Sequence, residues 1–470
     1  MLQPIESSPS SASNLLGMAV AKSGRLARRA VFGAGVLMVA LGAASFAIAF
    51  RACLGSALHL ATNSSDVVSA VRSLSLPLRL LTPALGGLLA GVCGLAVARS
   101  PSGRGVGDVM EAVVFGRVRL PMGVTLTKSL GSWCAIVTGG SLGREGPLIQ
   151  FGGACGKWVS DRLRLSKQDT RLLIAAGTAA GFAAAYNTPF ASSLFVLEVV
   201  TGVVVLDAVL PTLVATVVAS AITRAVVGEG PIYGQHSFHL QSPAELVAFA
   251  GLGVAAALTA GAFMQVLALG ERGFKRARLP LPWRPALGGL LAGAIAGWLP
   301  EVAGNGYEPL NALIDGALAP ALAAWLLLGK CAATTASVSS GSPGGVFTPT
   351  LLIGGCTGAL YAHLLGHCGV ALGPAGGYAL VGMAAATGAT THAPLMASVL
   401  VFELSGDYAI TLPLLLATAV STLVSRALSK DSLYTAELRE RGVSWELTLE
   451  GRLLGRAGEP MAQRDAGRLR

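Results

Sequence analysis

Nine residues of this 470-residue chain occur twice without a change, 202 positions apart: PALGGLLAG stands at 83–91 and again at 285–293. Other glycines, prolines and acids recur in the same order at nearly the same spacing. Pro147 and the glycines at 152, 153 and 156 recur as Pro349 and the glycines at 354, 355 and 358. The glycines at 103 and 105 recur at 304 and 306. Pro189 and Glu198 recur as Pro394 and Glu403. Matches in order at almost one offset indicate two homologous halves, about 30–230 and 245–430.

The charges of equivalent loops indicate how these halves are oriented. The loop at 157–171 carries five Lys and Arg residues, whereas its counterpart at 359–372 and the joining segment at 228–244 carry none. Basic loops of membrane proteins stay in the cytoplasm. Equivalent loops are therefore expected on opposite sides, which makes the halves antiparallel. Inverted repeats of this kind are typical of transporters, and their binding site lies at the midplane between the halves.

Composition identifies the solvent that this architecture requires. Hydrophobic residues make up 53% of the chain and charged residues 12%, whereas soluble domains average about 25% charged residues. Apolar stretches at 31–50, 80–98, 244–269 and 309–328 approach or exceed the roughly 20 residues that a membrane-spanning helix needs. We therefore predict an all-α integral membrane protein whose surroundings are a lipid bilayer.

The net charge of +10 does not indicate a nucleic-acid partner. The Lys and Arg residues stand at the ends of apolar segments, as in cytoplasmic membrane flanks, and no aromatic–basic interleaving of the kind that binds single strands is present. We expect residues 1–29 and 431–470 to be cytosolic tails. The seven cysteines and the His363/His367 pair show no convincing ligand spacing, so no metal site and no cofactor are predicted.

The motif at 143–147, Gly-Arg-Glu-Gly-Pro, places ionisable residues inside an apolar region. Such residues are costly in a membrane and usually functional. A helix that starts near Pro147 would direct its positive end at an anion, and Glu145 would compete with that anion for the same N–H donors. Glu145 is therefore a candidate gate. The alternative is a structural Arg144–Glu145 ion pair.

The repeat partner of this motif is Gly-Gly-Val-Phe-Thr-Pro at 344–349. It offers a second glycine-rich turn ahead of a helix. Two such helix ends meeting between antiparallel halves would surround an anion with dipoles and release it readily. The alternative is close helix packing through small residues.

Together these motifs resemble the CLC chloride channel and transporter family. The resemblance includes Leu433-Tyr434 and the segments 186–198 and 393–408, and it covers about residues 30–440. It implies a homodimer with a pore in each subunit, helices that end midway in the membrane, chloride or a similar anion as the transported ion, and Glu145 as the external gate. It further implies that the Tyr434 hydroxyl contacts a central anion and that backbone groups face anion sites at Arg144, Glu145, Gly146, Val346, Phe347 and Thr348.

Two positions depart from the family pattern. Arg104 stands where a serine usually contacts the central anion; it could bind the anion directly, or it could extend to the cytoplasm or pair with Asp108. Val199 stands where proton-coupled members carry an acid, one residue after Glu198. Because protons need titratable relays, Val199 favours uncoupled conduction, unless Glu198 substitutes. The repeat partner of Glu198, Glu403, favours a structural role for both.

The sequence therefore predicts passive chloride conduction in the inner membrane of a prokaryote, with both termini in the cytoplasm. Two alternatives in the same class stay open: chloride/proton antiport, and transport of another anion such as fluoride or nitrate. An intramembrane enzyme is the alternative from another class. Its candidates would be a serine near Gly140-Ser141 or the histidine pair, and no nucleophile–base pairing is evident at either.

Overall fold

A computed structural model of the protein describes residues 10–98, 105–115, 120–202, 206–228, 232–234, 236, 238–440, 443–448 and 451–456. Within these ranges the chain forms eighteen α-helices and one two-stranded hairpin. Six helical segments are long and apolar enough to cross a membrane: Leu26–Ser73, Leu76–Val97, Leu206–Val227, Glu245–Arg276, Pro320–Ser339 and Thr411–Arg439. The predicted all-α membrane fold is confirmed, and the protein is an integral membrane protein.

The first half contains nine α-helices. They are α1 (Ser10–Thr62), α2 (Val67–Ser73), α3 (Leu76–Val97), α4 (Val106–Phe115), α5 (Met122–Val137), α6 (Glu145–Arg162), α7 (Lys167–Tyr186), α8 (Pro189–Leu194) and α9 (Leu206–Val227), with a π-helical turn at Phe195–Val200 after α8.

The second half begins with the long helix α10 and then repeats the order of α3 to α9. Its helices are α10 (Glu245–Arg276), α11 (Trp283–Trp298), α12 (Tyr307–Ile314), α13 (Pro320–Ser339), α14 (Phe347–His367), α15 (Ala375–Thr391), α16 (Pro394–Ser405) and α17 (Thr411–Leu428), with a 3₁₀ turn at Pro300–Val302. Thus α3 corresponds to α11, α6 to α14 and α7 to α15.

The nine-residue repeat lies where the two halves contact each other. A Cβ atom at Gly87 on α3 would collide with the backbone carbonyl of Pro285 on α11. A Cβ atom at Gly289 on α11 would likewise collide with the carbonyl of Pro83 on α3. The two copies of the motif therefore pack on one another in a reciprocal contact, which requires glycine on both sides.

A second pair of glycine crossings occurs within the halves. Gly152 on α6 lies against the carbonyl of Gly177 on α7, and Gly177 lies against the carbonyl of Gly152. In the second half, Gly354 on α14 and Gly382 on α15 lie against each other's carbonyls in the same way. The spaced glycines that reveal the repeat thus hold α6 and α14, the two helices that begin at the glycine-rich motifs 143–147 and 344–349, close to their neighbours.

One feature differs from the sequence-based expectations, and two others add structure that was not predicted. The apolar stretch at 309–328 is not one span, because it is interrupted between α12 and α13; Gly316 has a φ of +68° there, and Pro320 begins the next helix. The expected tail at 1–29 is helical from Ser10 onward, as part of the 53-residue α1. After α17, helix α18 (Leu433–Glu440) precedes the antiparallel strands β1 (Val443–Thr448) and β2 (Gly451–Arg456).

Candidate anion site and gate

The two glycine-rich motifs meet inside the protein. The Gly143 N–H donates to the Gly345 carbonyl at 2.7 Å, and the Gly345 N–H donates to the Gly143 carbonyl at 2.8 Å. This pair of bonds forms an isolated antiparallel bridge between the halves. A Cβ atom at either glycine would collide with the carboxylate of Glu145. Glycine at both positions therefore leaves the space that this carboxylate occupies.

Glu145 is the first residue of α6 and is 1% exposed. Its Oε1 accepts hydrogen bonds from the N–H of Phe347 at 2.7 Å and of Thr348 at 3.4 Å, and its Oε2 accepts one from the Thr348 hydroxyl at 3.0 Å. Phe347 and Thr348 begin α14, and the first N–H groups of a helix have no partner within it. The carboxylate thus occupies the place where the helix terminus of the opposite half would bind a free anion.

Arg144 does not form the ion pair considered as the alternative. Its guanidinium lies over the ring of Tyr307, 5.0 Å from the centroid, and donates to the Ala185 carbonyl at 3.4 Å. It also lines a cavity of about 450 Å³ together with Arg51, Asn305 and Glu308. The buried Arg144 Nε has no hydrogen-bond partner among the described residues. The structure therefore places the arginine at a cavity lined by both polar and apolar side chains, and not in an ion pair with Glu145.

The remaining predicted anion-site residues lie around this carboxylate. Val346 caps the start of α14, and Gly146 follows Glu145 in the first turn of α6. Tyr434 on α18 is 7% exposed and packs edge-on against Phe195 with a centroid distance of 6.1 Å. Phe195 in turn stacks on Phe182, which lies edge-on against Phe347 at the start of α14. Both motifs and the C-terminal tyrosine thus converge on one region.

Arg104 lies outside the described residues. Its proposed partner Asp108 is fully buried on α4, where its carboxylate lies 3.7 Å from the ammonium of Lys128 and 3.4 Å from the Gln150 amide nitrogen. Asp108 therefore has cationic and polar neighbours within the described part of the chain.

Glu198 and Glu403 bind the backbone of each other's half. Glu198 accepts hydrogen bonds from the N–H groups of Leu395 and Met396 at 3.3 and 2.8 Å, at the start of α16. Glu403 accepts them from Phe190 and Ala191 at 3.0 and 2.8 Å, at the start of α8. Each carboxylate satisfies otherwise unpaired N–H groups of a short helix. The neighbouring Val199 is 2% exposed.

We expect Glu198→Ala and Glu403→Ala to destabilise the protein to a similar degree, by about 0.5–2 kcal/mol each, because both remove the acceptor of two N–H groups at the start of a helix. Thermal unfolding in detergent, followed by tryptophan fluorescence, measures this effect. The two Gln variants should leave the ratio of proton to chloride flux unchanged. A changed ratio in Glu198→Gln with a normal ratio in Glu403→Gln would instead place Glu198 on a proton route.

One buried and one half-buried lysine are structural residues that motif reading missed. Lys330 on α13 is fully buried, and its ammonium donates to the carbonyls of Val302 and Gly304, both at 2.9 Å. Lys128 on α5 stands 202 positions earlier and approaches Asp108 on α4. Lys128 thus connects α5 to the short helix α4, and Lys330 connects α13 to the turn that comes before the short helix α12. The sequence did contain a signal for them, because a lysine recurs at the repeat offset of 202 within two apolar segments.

Tyr186 is a further residue that the motifs did not single out for a role. Its hydroxyl lies 2.8 Å from the Thr348 hydroxyl, which itself bonds to Glu145. The tyrosine ends α7, and sequence spacing carries no sign that its phenol reaches the start of α14.

Comparison with known proteins agrees with this geometry. The sequence model of the voltage-gated chloride channel family matches residues 86–426. A ClcB-like chloride channel protein from Ralstonia nicotianae is 38% identical over 399 residues, which are 83% of this chain and 92% of that relative. The voltage-gated ClC-type chloride channel ClcB from Shigella flexneri is 34% identical over 387 residues, 80% of this chain and 91% of that protein.

Solved structures share the fold. A slow cyanobacterial Cl⁻/H⁺ antiporter superposes with a TM-score of 0.77 at 24% identity, covering 87% of this chain and 98% of the other. A CLC-type fluoride/proton antiporter superposes with a TM-score of 0.72 at 25% identity, covering 86% of this chain and 96% of the other.

Proposed function

The chain belongs to the voltage-gated chloride channel family, the CLC family of anion transporters, and from this premise we propose that it exchanges chloride for protons, with the carboxylate of Glu145 as the gate. It is a transport protein and not an enzyme. Glu145 would serve as the ion-mimicking gate and as the carrier of the proton.

The observation that carries the proposal is the position of the Glu145 carboxylate against the start of α14. Phe347 and Thr348 donate two N–H groups and a hydroxyl to it. A chloride ion could accept the two N–H hydrogen bonds once the side chain leaves. Because the donors are neutral dipoles, they would favour an anion without holding it as tightly as a fixed cation.

Proton coupling is supported by this same carboxyl group and by one relative. Glu145 is a titratable group within the proposed anion path, so its carboxyl group could carry a proton each time the side chain moves out of or into the site. The fluoride/proton antiporter at 25% identity supports antiport as the mode, and the sequence-based preference for uncoupled conduction finds no such support. Val199 is the observation that favours the uncoupled candidate, because a buried valine cannot relay a proton.

The deciding experiment uses proteoliposomes loaded with chloride, with external chloride and pH recorded together and protein-free vesicles as the blank. Antiport predicts that chloride efflux drives proton uptake against a pH gradient, at a constant ratio. Chloride efflux without proton uptake would establish uncoupled conduction and contradict our proposal. Flux with fluoride or nitrate in place of chloride, and none with chloride, would reassign the substrate.

The remaining parts of the site would complete the path. We propose that the Tyr434 hydroxyl donates to an anion on the cytoplasmic side of Glu145, which its burial next to Phe195 supports. Arg104 would then either place a positive charge near that anion or extend its side chain to the cytoplasm. A lower chloride affinity in Arg104→Ser would support the first alternative, and an unchanged affinity the second.

We further propose a homodimer in the inner membrane with both termini in the cytoplasm. The large apolar side chains exposed on α9 and α17, among them Leu210 at 70% and Leu423 at 70%, are suited to lipid or to a second subunit. Cross-linking in native membranes measures the subunit number, and reporter fusions at each terminus measure the orientation.

A further inference from the structure

A chain of two hydroxyl groups leads to the gating carboxylate. The Tyr186 hydroxyl lies 2.8 Å from the Thr348 Oγ1, which lies 3.0 Å from the Glu145 Oε2. Tyr186, Thr348 and Glu145 are each no more than 1% exposed. The backbone donors to Glu145 are available in any sequence with this fold, whereas these two hydroxyls depend on the residues that this chain carries.

The direction of the hydrogen bonds follows from the number of protons. A threonine hydroxyl has one hydrogen to donate, and Thr348 donates it to Glu145. The Tyr186 phenol must then donate its own hydrogen to Thr348. A donor that is itself hydrogen-bonded is polarised and bonds more strongly. Tyr186 therefore strengthens the bond that Thr348 makes to the carboxylate.

Packing holds Tyr186 in the position that this chain requires. The tyrosine is the last residue of α7 and is followed by Asn187 in the left-handed conformation. Its ring lies 4.9 Å from that of Phe182 and 5.7 Å from that of Phe347, measured between centroids. A fixed ring loses little conformational freedom when its hydroxyl bonds to Thr348.

We propose that Tyr186 and Thr348 form a hydroxyl latch that holds Glu145 in the anion site and thereby sets how readily the gate opens. The inference rests on Glu145 being the gate, as proposed above. The latch stabilises the charged carboxylate in the closed position. An anion or a proton must compete with this extra bond before the side chain can leave.

Other ionisable side chains lie on the elements around Glu145, and the Thr348 variants leave all of them in place. They are Arg144 beside it, Tyr307 on α12, Lys330 on α13, Tyr434 on α18 and Tyr233 in the segment 232–234. A change in pH dependence that Thr348→Val shows and Thr348→Ser does not is therefore assigned to the hydroxyl bond to the carboxylate.

The test compares Thr348→Val, which has the same shape without the hydroxyl, with Thr348→Ser, which keeps the hydroxyl. Chloride flux is measured in proteoliposomes between external pH 5 and 8. In Thr348→Val we expect flux near neutral pH to rise about tenfold, the order expected for one hydrogen bond to a charged group, and the difference between acid and neutral flux to shrink. Thr348→Ser should behave as the native protein, and Tyr186→Phe should shift in the same direction as Thr348→Val by a smaller factor.

Glu145→Gln separates the possible outcomes. In that background Thr348→Val should leave the pH profile unchanged, because the charged group that the latch holds is gone. Equal profiles for the Val and Ser variants, or an equal gain in both backgrounds, would overturn the latch. If Glu145→Gln itself keeps the native pH profile, the gate proposed above fails as well. Tyr186→Phe provides the same test if Thr348→Val does not fold.

Discussion

Glu145→Gln is expected to abolish proton movement while chloride continues to flow at every pH. The glutamine side chain carries no charge, so it no longer imitates an anion in front of the two donor residues of α14. It also cannot take up and release a proton. Parallel recordings of chloride and pH in proteoliposomes should show proton uptake at the level of empty vesicles and a chloride flux independent of external pH.

Glu403→Gln is the matched control for this variant. Glu403 is also a glutamate bound by the first N–H groups of a short helix, at 3.0 and 2.8 Å, and its donors belong to α8, not to α14. It should keep coupled transport with the native pH dependence. Persisting proton uptake in Glu145→Gln would show that the proton does not travel on this carboxyl group, and it would remove the main support for Glu145 as the gate.

Gly382→Val is expected to prevent stable folding. The glycine lies on α15 where a side chain would collide with the carbonyl of Gly354, and Gly354 is in reciprocal contact with it. The obstacle is backbone of α14, so no side-chain rearrangement can relieve it. Forcing a side chain into a packed site typically costs about 1–3 kcal/mol, and more where the obstacle cannot move away. Because α14 begins with the donors to Glu145, its displacement would also disrupt the proposed anion site. Size-exclusion profiles and thermal unfolding in detergent measure the loss.

Gly261→Val controls for the intrinsic cost of valine in a helix. Gly261 lies on α10 with no atom within 4 Å of an added Cβ, so its variant should be as stable as the native protein, because valine is a better helix former than glycine. It should elute as the native protein does. If Gly382→Val were as stable as Gly261→Val, the helices would separate without cost and the close crossing would not be needed.

The architecture could be predicted because the repeat and the charges act at the scale of whole helices. Glycines that recur at 152 and 354 mark the helix crossings, and basic loops on one side indicate inversion. The meeting of the motifs around Glu145 followed from that symmetry. The interruption after α12 was missed because Asp315, Gly316 and Pro320 stand in an otherwise apolar stretch, where hydropathy outweighed the turn residues.

The details of the site depended on side-chain geometry that spacing does not contain. Thr348 was expected to contribute its backbone, and the structure adds its hydroxyl. Tyr186 stands 162 residues from Thr348 along the chain, so only the packing of α7 against the start of α14 brings their hydroxyls together. The repeat paired Glu198 with Glu403. Only the structure shows that each carboxylate accepts hydrogen bonds from the first N–H groups of a helix in the other half.

The reciprocal packing of the nine-residue motif bears on how such a chain could arise. Gly87 meets Pro285 as Gly289 meets Pro83, so one surface contacts a second copy of itself about a two-fold axis. An isologous contact needs no second surface to be complementary to it. A half-length ancestor inserted into the membrane in both orientations would already have formed this interface between separate chains. Fusion of two copies would then have fixed the orientations while each half, free to diverge, acquired its own residues: the glutamate in one and the threonine that binds it in the other.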